Sequence, residues 1–376
     1  MAKRVLFLIS DTGGGHRASA NALGEALRRL HGQAIQWDGV DLFAEYAHWP
    51  LSQIPRLYRP LTDRHLWLWR LLWQAGERPI VWHTVEAAAG AWHLARLHRL
   101  LTDHPPDLVV SVHPLLNHAP LRAVRRWAPG TPFVTVVTDL ATAHPVWYAP
   151  GVDLLCAPCP EVRQAALAAG VPAERIRLAG LPISLRFSEA QTDRGQARRL
   201  LGLANRPTVL ITGGGEGMGA VEAITNAVVG GLGGVNGQAV VICGRNEAMR
   251  ARLHNRVWPA PVHVFGFVDD MPAWMRAADC LVTKAGPGTI AEALVCGLPM
   301  VLSGFVAGQE EGNVGYVLDH GVGVFCSDPA GIARIVQEWL HPGNSATAAM
   351  QEKARALARP RAALEIAEVL SELFLR

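Results

Sequence analysis

Residues 5–23, VLFLISDTGGGHRASANAL, run from an apolar pentapeptide through three glycines into a histidine and an alanine-rich segment. Val5–Ile9 reads as a short buried strand, and Ala18–Leu30 carries Leu23, Leu27 and Leu30 at helical spacing. Strand, glycine loop and helix start together form the crevice of an open α/β sheet, where backbone N–H groups and the helix dipole face a ligand. The competing reading is a tight turn that carries a solvent-exposed histidine.

Outward from this stretch, apolar runs alternate with helical patterns. Leu108–Val112, Phe133–Val137 and Leu154–Cys156 read as strands in the first half; Thr208–Thr212, Ala239–Cys243, Cys280–Thr283 and Met300–Leu302 do so in the second. Such alternation builds parallel, doubly wound sheets. The opening pattern recurs at residues 208–228, TVLITGGGEGMGAVEAITNAV. The chain therefore reads as an α/β protein of two Rossmann-like domains, long enough for each to bury its own core. The boundary falls within residues 180–196, dividing residues 1–182 from 183–360. Ala362–Leu375 has helical spacing, and residues 361–376 are expected to pack back on the first domain. Two glycine loops facing one another across a cleft would suit a nucleotide and a second substrate.

Composition narrows the function. A net charge of +3 without a long basic run gives no nucleic-acid partner. Neither glycine loop matches the dinucleotide fingerprint or the GxxxxGK[ST] phosphate loop, which disfavours a dehydrogenase or an ATPase. Only Cys156 and Cys159 of the six cysteines have metal-like spacing, and no second pair or histidine set accompanies them. No metal and no cofactor is expected, and the cysteines read as reduced structural thiols. Lys3 and Arg4 precede too few apolar residues for a signal-peptide core, and no apolar run approaches the length of a spanning helix. A cytoplasmic protein is the expectation.

The second half holds further polar and glycine-rich loops. In KAGPGTIAEAL, residues 284–294, glycines stand just before a helix, so N–H groups at Gly288–Ile290 suit a diphosphate. Glu292, one turn in, suits a ribose hydroxyl or simply faces solvent. In VAGQEEGNVGYV, residues 306–317, Gln309, Glu310 and Asn313 offer amide and carboxylate groups to the hydroxyls of one sugar ring; a plain surface loop is the alternative.

Eight strings in order, SDTGGGHRASA, SVHPLLNHAPLR, TDLATAHPVWY, GLPI, GGGEGMG, ICGRN, KAGPGTIAEA and GLPMVLSGFVAGQEEGNV, resemble the monogalactosyldiacylglycerol synthases of plastids and photosynthetic bacteria. That family shares glycosyltransferase family 28 with the bacterial cell-wall N-acetylglucosaminyltransferase. The resemblance covers nearly the whole chain. It implies a GT-B fold and inverting transfer of galactose from UDP-galactose to the sn-3 hydroxyl of diacylglycerol. It also implies peripheral attachment on the cytoplasmic side of the cell membrane.

Carried over by residue, the resemblance makes His16 the general base for the acceptor hydroxyl. Gly13, Gly14 and Gly15 let the substrates approach the backbone. Imidazole suits this task because its ordinary pKa lies near the working pH. Asp139 is the candidate for orienting the imidazole or the acceptor, with His113 and His144 behind it. For the donor, Gly214, Gly215, Gly217 and Gly219 join Gly286, Pro287, Gly288, Thr289 and Ile290 around the diphosphate. Arg245 and Gly266, Phe267 and Val268 take the uracil, Glu292 the ribose, and Gln309 and Glu310 the sugar. Glu311 stands where the plastid enzymes usually carry alanine. Helix dipoles and N–H groups, with no required metal, answer the phosphate charge.

Trp49, Trp67, Trp69, Trp73, Trp82 and Trp92, six of twelve tryptophans, fall between residues 49 and 92, with Arg56, Arg59, Arg64 and Arg70 among them. Tryptophan and arginine together suit the interface of an anionic bilayer, and aromatic packing in a core helix is the alternative. The resemblance favours the membrane and adds Pro50 and Trp147 to the acceptor side. Expected partners are thus UDP-galactose, diacylglycerol and anionic membrane lipids, with a homodimer as a further one. The rival functions are a diacylglycerol glucosyltransferase using UDP-glucose, a UDP-sugar 2-epimerase, and a lipid-binding protein without catalysis.

Overall fold

A computed structural model describes residues 2–12, 14–76, 78, 95–189 and 192–375. Gly13, Trp82 and Trp92 lie outside the described residues, as do the side chains of Arg59 and Arg64. The chain divides into two units. The first comprises residues 1–185, 307–309 and 361–376, and the second residues 186–306 and 310–360.

The first unit holds a parallel sheet of six strands: β1 (Lys3–Ile9), β2 (Ile35–Asp41), β3 (Leu108–Ser111), β4 (Phe133–Val136), β5 (Leu154–Ala157) and β6 (Ile176–Leu178). Their order is β2-β1-β3-β4-β5-β6. Strands β1, β3, β4 and β5 are interior and covered on both faces, which is why each is predominantly apolar. The helix Gly15–His31 begins directly after Gly14, whose φ of +79° is a left-handed conformation that a side chain would strain. Leu23 and Leu27 are fully buried on the sheet, whereas Leu30 lies on the exposed side.

The helix Ala362–Phe374 returns to this unit. Its Ile366 and Leu370 join Leu23 and Leu27 in one core, and His31 Nε2 meets Ser371 Oγ at 2.7 Å. Each fully buried aliphatic side chain contributes roughly 1.5–3 kcal/mol at most, so this helix is integral to the first unit's stability.

Residues 307–309 fall in the first unit, although the sequence groups them with the second. Trp69 Nε1 donates to the Ala307 carbonyl at 3.0 Å, Tyr58 Oη donates to Gln309 Oε1 at 2.9 Å, and the Trp73 ring lies against Gly308.

The second unit repeats the plan with β7 (Thr208–Thr212), β8 (Gln238–Ile242), β9 (Val262–Phe265), β10 (Cys280–Lys284), β11 (Met300–Gly304) and β12 (Gly323–Phe325). The order is β12-β11-β10-β7-β8-β9, again all parallel. In each sheet the winding reverses once, between β1 and β3 and between β7 and β10. In such sheets a ligand binds beyond the carboxyl ends of the strands at the reversal.

Candidate active site

At the first reversal, the segment after β1 brings Thr12 and His16 to the segment after β3, which carries Val112 and His113. The His16 side chain is buried, its Nδ1 lying 2.8 Å from the Val112 carbonyl and 3.0 Å from Thr138 Oγ1. A carbonyl only accepts, so Nδ1 carries the proton, and Nε2 is left as a lone pair. Among the described residues no partner takes that lone pair. Burial lowers the His16 pKa to about 4, so the imidazole is neutral at physiological pH.

His113 packs edge-on against His16, with ring centroids 4.5 Å apart. Its Nδ1 accepts from Leu115 N–H at 3.2 Å, and its Nε2 lies 3.3 Å from Thr12 Oγ1. Burial, and then the charge of a protonated His16, push its pKa well below the ordinary value.

The Val112 carbonyl and Thr138 orient the His16 ring through Nδ1, so of the two roles expected of Asp139 the imidazole one falls to them and the acceptor one is untouched. The Asp139 carboxylate accepts from Trp147 Nε1 at 2.6 Å. Trp147 is fully buried 6.5 Å from the His16 ring, so it packs beside the imidazole and is not a membrane contact. His144 is occupied elsewhere: its Nδ1 caps Val146 N–H, and its ring lies edge-on to Trp73. Thr138 opens the string TDLATAHPVWY, but an uncharged hydroxyl beside a charged Asp139 drew no role in the sequence reading.

The depressed pKa has a measurable consequence. With UDP-galactose saturating, kcat/KM for the acceptor is expected to show its acid limb at the His16 pKa of about 4, not near 6.5. A limb near 6.5 would assign the base to an exposed imidazole. Stability follows the same titration. Between 6.5 and about 4 the unfolded chain binds the proton and the folded one does not, so stability is lost as pH falls through that window.

At the second reversal, the glycine loop after β7 closes on the turn after β8. Gly217, at φ +60°, comes so near the Cys243 carbonyl that a Cβ would lie 2.2 Å from it. Gly214 and Gly219 also take positive φ, and the Gly215 carbonyl accepts from Arg245 N–H at 2.8 Å. The Arg245 guanidinium stacks 4.9 Å from the Phe267 ring centre and pairs with Glu216 at 2.7 Å. Phe267 is exposed, with Gly266 and Val268 half-buried on either side. A cation over an open aromatic face is the arrangement that stacks a planar base.

The helix Pro287–Cys296 starts at the end of β10. Its open N–H groups are fewer than expected. Pro287 has none, Gly286 N–H bonds the Lys284 carbonyl, and Ile290 N–H bonds Gly286 with its side chain in the core. Gly288 and Thr289 keep theirs, with no partner among the described residues. Glu292, one turn further, has no hydrogen-bond partner there either. Burial raises its pKa to about 8.

The sugar-loop residues all have partners within the protein. Glu310 is buried, with Oε1 on Lys284 Nζ and Oε2 accepting from Val306 N–H at 2.9 Å. Asn313 Nδ2 donates to the Ala285 carbonyl at 2.9 Å, bracing the turn before the helix. Gln309 lies with Tyr58 in the first unit, as described above.

Lys284 is the site residue that sequence reading passed over. Its signal was available, because the chain has only three lysines, at positions 3, 284 and 353, among its 35 basic residues. Among the described residues no group of three or more histidines, cysteines or carboxylates could hold a metal ion. All six cysteines are free, and burial pushes Cys156 and Cys159 up to about 12.

The helices Ile54–Arg64 and Leu66–Gly76 divide their side chains sharply. Leu57, Trp67, Leu71 and Leu72 are exposed, by 49–68%, while Trp69 turns inward on Tyr58 and Trp73. Trp69 is therefore packing, contrary to the reading that set it beside Trp67 on the surface. Pro50 and Trp49 are exposed just before these helices.

Two parallel Rossmann-type units, each with a glycine-led crevice at its sheet reversal, are the plan of the GT-B fold. The fold matches the crystal structure of MurG from Acinetobacter baumannii with a TM-score of 0.62 at 17% identity, over 98% of this chain and 99% of that one. Residues 16–183 match the family model for monogalactosyldiacylglycerol (MGDG) synthase, and residues 208–365 that for the glycosyltransferase family 28 C-terminal domain. Monogalactosyldiacylglycerol synthase 1, chloroplastic, of Arabidopsis thaliana is 41% identical across 99% of this chain and 71% of its own length. Probable monogalactosyldiacylglycerol synthase 2, chloroplastic, of Oryza sativa subsp. indica is 44% identical across 99% and 81%. The chain belongs to the monogalactosyldiacylglycerol synthase family.

Proposed function

We propose that the protein transfers galactose from UDP-galactose to the sn-3 hydroxyl of 1,2-diacylglycerol, forming β-monogalactosyldiacylglycerol. The observation that carries this reading is identity of 41–44% to synthases of that lipid along 99% of the chain. The acceptor oxygen attacks the anomeric carbon as its proton passes to His16 Nε2. The bond from that carbon to the β-phosphate breaks, and its electron pair leaves with UDP. A neutral imidazole whose Nδ1 is already hydrogen-bonded supports His16 as the base. Arg245 and Phe267 stack the uracil, Glu292 takes the ribose, and Gly288 and Thr289 N–H groups meet the diphosphate. A panel of radiolabelled UDP-sugars with diacylglycerol vesicles tests the reading. Galactolipid from UDP-galactose supports it, and glucolipid as the preferred product returns the reading to the glucosyltransferase.

The acceptor is a lipid, and no helix among the described residues is long and apolar enough to cross a membrane. We assign docking on anionic lipid to the exposed side of helices Ile54–Arg64 and Leu66–Gly76, where Leu57, Trp67, Leu71 and Leu72 adjoin exposed Arg56 and Arg70. The double substitution Trp67→Ser with Leu71→Ser is expected to fold, since both side chains face solvent, and to stop pelleting with anionic vesicles. Each arginine near such a surface contributes about 1 kcal/mol, so wild-type binding should weaken with salt. A folded double mutant that still pellets would place the docking surface elsewhere.

A further inference from the structure

Lys284 ends β10 at the reversal of the second sheet, where it adjoins both segments that bound the crevice. A Cβ built on Gly214 would lie 3.7 Å from its Cε, and one built on Gly286 would lie 3.3 Å from its Nζ. The glycine loop after β7 and the turn before the Pro287–Cys296 helix therefore both lie against this one side chain.

The backbone is irregular at the same point. Thr283 pairs with Leu302, but Lys284 pairs with Gly304, so the β10–β11 register slips by one residue. Slips of this kind re-aim a side chain at the end of a strand and are common beside active sites.

The ammonium group is only partly satisfied. One of its donors goes to Glu310 Oε1, and the other two have no partner among the described residues. The side chain is 22% exposed and that of Glu310 6%, so the open donors lie at a rim and are not sealed in the core. A pair this buried is a poor stability device, since a well-packed apolar pair usually serves as well. Glu310 is itself fixed by Val306 N–H and stays with its lysine as a rigid support. In a chain that uses arginine almost everywhere else, the site holds a compact point charge instead of a planar fork.

We propose that Lys284 is the cation that neutralises the diphosphate as it leaves the donor sugar, with Glu310 as the carboxylate that positions it. The proposal rests on the galactosyl-transfer reading and adds to it the group that answers leaving-group charge. As the bond between the anomeric carbon and the β-phosphate oxygen breaks, the electron pair collects on that oxygen. Lys284 donates a hydrogen bond to the diphosphate and keeps its proton, while the acceptor's proton goes to His16.

The test compares UDP with uridine, which lacks both phosphates, as ligands of wild type, Lys284→Met and Lys284→Arg. Lys284→Met is expected to bind UDP about 10- to 100-fold more weakly, the range of one charged hydrogen bond, and uridine as wild type does. Its kcat should fall further, by about 10²–10³-fold, because the charge is greatest in the transition state. Lys284→Arg should recover most of the UDP affinity. If Lys284→Met misfolds with Glu310 left unpaired, Lys284→Met with Glu310→Gln removes both charges and carries the same comparison. Unchanged UDP affinity, or equal loss of UDP and uridine, overturns the role. Wild type that makes no galactolipid defeats the transfer reading itself, whereas wild type that transfers alongside an unchanged UDP-to-uridine ratio in the mutant defeats only Lys284.

Discussion

His16→Ala should reduce galactosyl transfer by about 10²–10⁴-fold while UDP affinity stays at the wild-type value, because the substitution removes the proton acceptor and nothing that holds the nucleotide. The imidazole belongs to the first unit, and Arg245, Lys284 and Glu292 belong to the second. His16→Gln is the companion variant. It keeps most of the side-chain volume and can still donate to the Val112 carbonyl, but it cannot take up a proton near neutrality. Both variants should lose kcat with little change in KM for UDP-galactose. More than a tenth of wild-type turnover in His16→Gln assigns the proton to another group.

Glu292 is expected to give the second large effect. Its carboxyl has no partner among the described residues, and burial holds it protonated up to about pH 8. A ribose diol that donates to both oxygens favours the ionised form, so nucleoside binding expels the proton. The sign follows from that: in wild type, uridine should bind more tightly as pH rises toward about 8 and then level off. Glu292→Ala should weaken uridine by about 10- to 100-fold, the loss of charged hydrogen bonds, and abolish that pH dependence. The probe is uridine because it carries no phosphate titration of its own. Pale discrimination between uridine and its 2′,3′-dideoxy analogue in wild type would remove Glu292 from the ribose.

The interior of both sheets was legible in the sequence, and their edges were not. The strands read from apolar runs correspond to β1, β3, β4 and β5 in the first sheet and to β7, β8, β10 and β11 in the second. The four unread strands, β2, β6, β9 and β12, are the four sheet edges. Covered on both faces, an interior strand is predominantly apolar; an edge strand such as β2, IQWDGVD, buries only part of its length and tolerates Asp38 and Gly39.

The site divides along a similar line. Glycine loops and His16 announce themselves because they follow apolar runs at strand ends, and Glu292 because it is the one charged residue of an apolar helix. What each of them touches depends on pairing across the sheet. The Val112 carbonyl on His16 comes from a segment 96 residues away, and the Lys284–Glu310 pair spans 26. The burial of Trp147 and the inward turn of Trp69 likewise follow from packing that residue type alone does not specify. A tryptophan at a bilayer and one packed in a core look the same in sequence.

The stereochemistry of the lipid product tests the account most directly. Recombinant protein is incubated with UDP-galactose and vesicles of diacylglycerol in anionic lipid, and the anomeric proton coupling of the purified glycolipid is read by NMR. UDP-galactose is α-linked, so a single displacement with His16 as base gives the β-galactolipid. An α-linked galactolipid, or UDP release with no lipid product, contradicts it.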